Sequence, residues 1–92
     1  MIKKLEAYIQ NKKELETVLK YDSAKDIAAN IEKEISDVEE FIFSCSYNRV
    51  RRIMELKFLE GHSWYYVATQ IGIDRSTAQK ALRAYIGKYL KK

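Results

Sequence analysis

The chain has 92 residues, with 17 Lys or Arg against 13 Asp or Glu, one His, one Cys and no Pro, for a net charge of +4. The lone Cys45 excludes an intramolecular disulfide, and Cys45 with His62 alone cannot build a structural zinc site. No apolar run reaches the length of a membrane span and no signal-peptide core is present, so a cytoplasmic protein with no membrane partner, no metal and no cofactor is expected.

Helix formers dominate, strand-like alternation is scarce, and all three glycines lie in the C-terminal third. The fold class is therefore all-α. Residues 1–20 read as a first helix with Ile2, Leu5, Ile9, Leu15, Val18 and Leu19 as its apolar members. A break follows at Tyr21, Asp22 and Ser23, where Ser23 with Asp26 resembles a capping box. The second helix spans residues 24–44, with a stripe of Ile27, Ile31, Ile35, Val38, Ile42 and Cys45 and Phe41 alongside. Spacings of three and four along that stripe are those of a coiled-coil or bundle seam. Residues 1–46 thus form an N-terminal helical hairpin, coiled-coil-like, that serves assembly. Either it packs on the rest of its own chain or two chains pair through the isoleucines; a homodimer is favoured, because so small a second half needs support.

A linker at 44–48 leads to a third helix over 47–60, with Val50, Ile53, Met54, Phe58 and Leu59 as apolar contacts. Arg49, Arg51 and Arg52 crowd its start. They suit phosphate contacts, or ion pairs with the acidic run 32–40. The next helix starts at Ser63, a good N-cap, and carries Trp64, Val67, Ala68 and Ile71 on one stripe. Gly72 follows where a left-handed residue ends a helix cheaply. Ile73 drops into the core and Asp74 caps the last helix. That helix buries Ala78, Ala81, Leu82, Tyr85 and Tyr89 and turns Ser76, Lys80 and Arg83 the opposite way, with Arg75 and Gln79 at the edge. Two short helices, a tight turn and a polar outer face are the layout of a helix-turn-helix.

The segment resembles the helix-turn-helix of the fourth region of bacterial sigma factors, and is similar to small phage transcription regulators of the RinA/ArpU type. The likeness rests on Gly61-His62-Ser63-Trp64, on Ala68 four residues before Gly72, and on Gly72-Ile73-Asp74-Arg75-Ser76-Thr77. Asp74 stands where the pattern has a Ser cap, and Ala78 where it has Val or Ile. The smaller Ala78 requires a neighbouring tyrosine to fill the space or the helices to pack closer. The resemblance covers the C-terminal half only.

Charge divides the chain. Residues 47–92 hold ten basic against three acidic side chains, giving +7, and residues 1–46 hold seven against ten, giving −3. A DNA-reading half, 47–92, joined to a non-DNA half accounts for this asymmetry. The expected function is a sequence-specific regulator of transcription, phage or prophage encoded, that binds double-stranded DNA. Arg75, Ser76, Gln79, Lys80 and Arg83 would meet base edges or nearby phosphates, Thr77 would bond a phosphate or support the helix start, and Lys88, Lys91 and Lys92 would add salt-sensitive attraction. Tyr65 and Tyr66 suit phosphates or burial. The alternative is an adaptor that docks on RNA polymerase or a phage protein, or a small DNA-packaging protein. An enzyme is not expected: no Ser-His-Asp or Cys-His set and no phosphate-cradling glycine loop is recognisable.

Overall fold

A computed structural model describes residues 1–20 and 25–90. Among them stand five α-helices and no strand: α1 (Ile2–Val18), α2 (Lys25–Phe43), α3 (Asn48–Met54), α4 (Trp64–Ile71) and α5 (Arg75–Leu90). The expected all-α class is what is found. The break at Tyr21, Asp22 and Ser23, the capping box of Ser23 and a helix start at Ala24 lie outside the described residues, as do Lys91 and Lys92. The chain divides into two compact units, Met1–Phe41 and Ile42–Lys92.

In the first unit Leu5, Tyr8, Ala28, Ile35, Val38 and Phe41 are buried. Side-chain bonds tie α1 to α2. Lys4 Nζ donates to Asp37 Oδ2 at 2.9 Å, Tyr8 OH to Glu39 Oε2 at 2.8 Å, and Asn11 Nδ2 to Glu34 Oε2 at 3.2 Å. The outer two pairs, Lys4 with Asp37 and Asn11 with Glu34, run in opposite directions along the two helices, as antiparallel neighbours require, and Tyr8 between them reaches forward to Glu39. Two details depart from the sequence reading. Tyr8 is buried although it was not counted among the apolar members, because its hydroxyl finds a carboxylate and its ring then behaves as a hydrophobe. Ile27 and Leu19 stand 57% and 61% exposed, so the ends of both apolar stripes face outward. Ile35 and Val38, read as seam residues toward either the rest of this chain or a second one, are buried.

The second unit is built on Ile53, Leu56, Val67 and Ala78, all buried and in one cluster, with Trp64, Ile71, Ile73 and Ala81 packed against it. Ala78 is fully covered. Branched aliphatic side chains surround it, so no tyrosine is needed to make good its small volume. The third helix does not stay regular to residue 60. After Met54 it widens into a π-helical stretch, Glu55–Leu59, closed by Glu60 N–H to Glu55 C=O at 3.0 Å, five residues back. The widened turn shifts the register, and Leu56, absent from the expected apolar set, becomes 2% exposed. Gly61 then takes φ 76°, and His62 N–H returns to Leu56 C=O at 3.0 Å. At the far end of α5, Tyr89 is 48% exposed and Ile86 is buried instead. Tyr89 shares the helical stripe of Ala78 and Leu82, but it lies near the end of α5 and half of its surface meets solvent.

Candidate nucleic-acid interface

Residues 61–74 position the last helix by backbone chemistry. Ser63 adopts an extended conformation, and its Oγ accepts the N–H of Tyr66 at 3.2 Å, satisfying one orphan donor of α4. The other end closes on Gly72, whose φ of 84° is left-handed. Gly72 N–H and Ile73 N–H both reach Ala68 C=O, at 2.8 and 3.1 Å, the second being the six-to-one bond of a Schellman turn. A Cβ at Gly72 would meet nothing within 4 Å, so the requirement for glycine is conformational and not steric. Ile73 then packs on the core cluster and reverses the chain into α5.

The beginning of α5 is made differently. Asp74 C=O takes the N–H of Ala78 at 2.9 Å, the first helical bond. Its carboxylate, read from the sequence as the cap, accepts no hydrogen bond among the described residues and stays exposed. Backbone bonds at Gly72 and Ile73 already fix the turn, so α5 starts without a side-chain cap. Asp74, Arg75, Ser76 and Gln79 line one shallow open hollow. A neighbouring hollow runs from Asp74 and Arg75 past Gly72 to Thr69 and Tyr65 on α4.

The side chains expected to read DNA share the outward part of α5. Arg75, Ser76, Thr77, Lys80 and Arg83 are exposed, and Gln79 is half-buried at the edge. At 100° per residue Ser76, Lys80 and Arg83 project opposite Ala78 and Leu82, which are buried. Among the described residues Arg75, Lys80 and Arg83 have no ion-pair partner. The arginines of α3 behave otherwise. Arg52 reaches Glu55 at 3.5 Å and Glu60 at 3.4 Å, and Arg51 donates to Asn48 at 3.4 Å. Arg49 is exposed. Lys88 lies 5.7 Å from the centre of the Tyr47 ring, a cation–π distance, and Tyr47 meets Tyr85 edge-on at 6.0 Å. Burial, and then the bond with the Cys45 thiol, pushes the Tyr85 hydroxyl up to about 12.

One surface feature was not singled out from the sequence, the pairing of His62 with Tyr66. Of the two tyrosines offered for phosphates or burial, Tyr65 is 71% exposed and Tyr66 40%. His62 stacks on Tyr66 at 4.0 Å and its Nε2 lies 3.3 Å from Glu60. The spacing of His62 and Tyr66 by four was the available signal, once His62 is seen to border the helix start. No helix among the described residues is long and apolar enough to cross a membrane, and none of their His, Cys, Asp or Glu side chains gather in a group able to hold a metal. No protein-family model, curated protein or solved structure matches the chain.

Proposed function

We propose that this protein is a sequence-specific, double-stranded-DNA-binding regulator of transcription, of the phage or prophage kind, that reads the major groove with α5. The observation that carries this reading is the outward face of α5: Ser76, Lys80 and Arg83 project together, opposite a buried Ala78 and Leu82, and the two cations have no internal counter-charge among the described residues. Unneutralised cations on a rigid helix suit phosphates and guanine edges, where Arg and Lys donate to O6 and N7 and Gln pairs with adenine. The +7 charge of the second half supports it further. Arg49 is open for a phosphate, whereas Arg52 already holds two carboxylates and would have to exchange them.

The test is selection of bound duplexes from a random pool, followed by footprinting on the enriched sequence. Enrichment of one motif, with binding that falls steeply with salt, supports the reading. Recovery of no motif, together with retained capture of RNA polymerase by a Lys80→Ala, Arg83→Ala double variant, would assign the surface to a protein partner. The reading includes two copies on an inverted repeat, with half-sites about 34–36 Å apart or a multiple of that. A strict monomer at high micromolar concentration on a single asymmetric footprint removes the dimer and leaves the reader.

A further inference from the structure

Asp74 is a charge that a DNA-facing surface should not carry without reason. It stands at the start of α5 beside Arg75, Ser76 and Gln79, and a carboxylate there repels phosphate. Capping would excuse it, but no N–H of α5 donates to that carboxylate and no cation pairs with it among the described residues. It is exposed, and with Arg75, Ser76 and Gln79 it lines the hollow at the start of α5. In that hollow Arg75 supplies donors only, Ser76 and Gln79 supply both kinds of group, and Asp74 supplies acceptors only.

We propose that Asp74 is a specificity-determining residue that selects cytosine at one base pair of the recognised site, a conclusion that rests on the DNA reading above. Base-edge chemistry fixes the choice. Cytosine presents its N4 amino donor in the major groove, which a carboxylate accepts. Guanine presents O6 and N7, thymine presents O4, and all three atoms are acceptors that repel it. Adenine offers an N6 donor beside an N7 acceptor and ranks second. The charge therefore works as much by exclusion as by attraction: binding to wrong sequences is weakened by repulsion and by an unpaired anion, while the right base gives it a partner. Arg75 beside it prefers guanine, so the two neighbours ask for opposite edges and fix the register of the site.

Asp74→Asn separates this role from helix capping, since Asn caps as well as Asp. The same pool selection, run on the parent and on Asp74→Asn, reads the result. At one position the parent's preference for cytosine, about tenfold over guanine or thymine, should fall away, and adenine should rise, because an amide pairs with adenine N6 and N7 together. Affinity for unrelated duplex should increase, and the thermal midpoint should fall only slightly, by the lost attraction between the charge and the start of the helix. An Asn variant that enriches the same motif with the same preferences at every position overturns the proposal while the DNA reading stands. Failure of the parent itself to enrich any motif overturns both, and does so before the variant is examined.

Discussion

The two compact units handle polar side chains in opposite ways. In Met1–Phe41 the longer-range polar groups find each other: Lys4 meets Asp37, Tyr8 meets Glu39, and Asn11 meets Glu34. In Ile42–Lys92 side-chain partners cluster near the helix starts and the wide turn, as with Arg52, Glu55 and Glu60, while Arg75, Lys80 and Arg83 of α5 have no ion-pair partner among the described residues. A polar group satisfied internally adds a little to stability and has nothing left for a ligand. A polar group left in water on a rigid helix adds nothing to stability and keeps its hydrogen-bonding capacity for a partner. Substitutions in the first unit should therefore register in melts, and substitutions on α5 in binding.

The largest effect should come from the buried base of the second unit. Ile53 is fully covered at the centre of the cluster formed with Leu56, Val67 and Ala78. Ile53→Ala removes three carbons there and should cost about 2–5 kcal/mol by denaturant unfolding. Binding should fall with the folded fraction, so the loss of DNA affinity should disappear at low temperature where the fold is restored. Gly72→Val comes next. Space is available at that position, yet φ of 84° is poor for a β-branched residue, and about 1–3 kcal/mol of strain is expected. An unchanged thermal midpoint would show that another backbone path serves as well.

The surface of α5 gives the clean contrast. Lys80→Ala and Arg83→Ala should each weaken cognate binding by about 1–3 kcal/mol and leave helicity and melting intact. Lys4→Ala in the first unit should do the reverse, leaving DNA binding untouched. Equal DNA affinity for the parent, Lys80→Ala and Arg83→Ala would remove α5 as the reader. An equal effect of all three variants on the melt would remove the contrast between the two units and leave the reader in place.

Much of this was legible because short-range rules govern it. Ser63 and Gly72 lie at the two ends of an apolar stripe, and cap and turn preferences at such positions depend on neighbours within a few residues. The outward set Ser76, Lys80 and Arg83 followed from helical period alone. Three features needed the fold. The π-helical stretch at Glu55–Leu59 is a register change that no α period contains, and it brought Leu56 into the core. Tyr8 is buried because Glu39, thirty-one residues on, accepts its hydroxyl. Asp74 looked like a cap, since the residue type at an N-cap position says nothing of whether the carboxylate turns back to the helix or out to solvent.

The tyrosines offer a weaker comparison between the units. Burial raises the hydroxyl of Tyr85 to about 12 from an ordinary 10, and burial with the bond to Glu39 raises that of Tyr8 as well. A raised value in the folded state means that folding holds the proton. The stabilisation is complete below pH 10 and declines from there toward about 12. Urea midpoints should fall across that window in the parent and fall less in Tyr85→Phe. An alkaline limb identical in the two would show that Tyr85 ionises equally easily in the folded and unfolded chains.

The smallest effect should be found at Asp37, where the sign is opposite. Its bond to Lys4 Nζ at 2.9 Å holds the carboxyl below its ordinary 3.8, against a lesser contribution from desolvation. A lowered value in the folded state means that folding favours the anion. The contribution is present above pH 3.8 and is lost as the pH falls through the folded value. Both partners are well exposed, at 42% and 31% of their side-chain surface, so water and salt screen most of the attraction. Asp37→Asn should make the acid limb of the stability curve slightly shallower at low salt, and the difference should vanish at high salt. Binding to the selected DNA should be the same for Asp37→Asn and parent at neutral pH. A loss of DNA affinity there would mean that the internally paired side chains of the first unit also serve the ligand, and the division of labour between the two units would not hold.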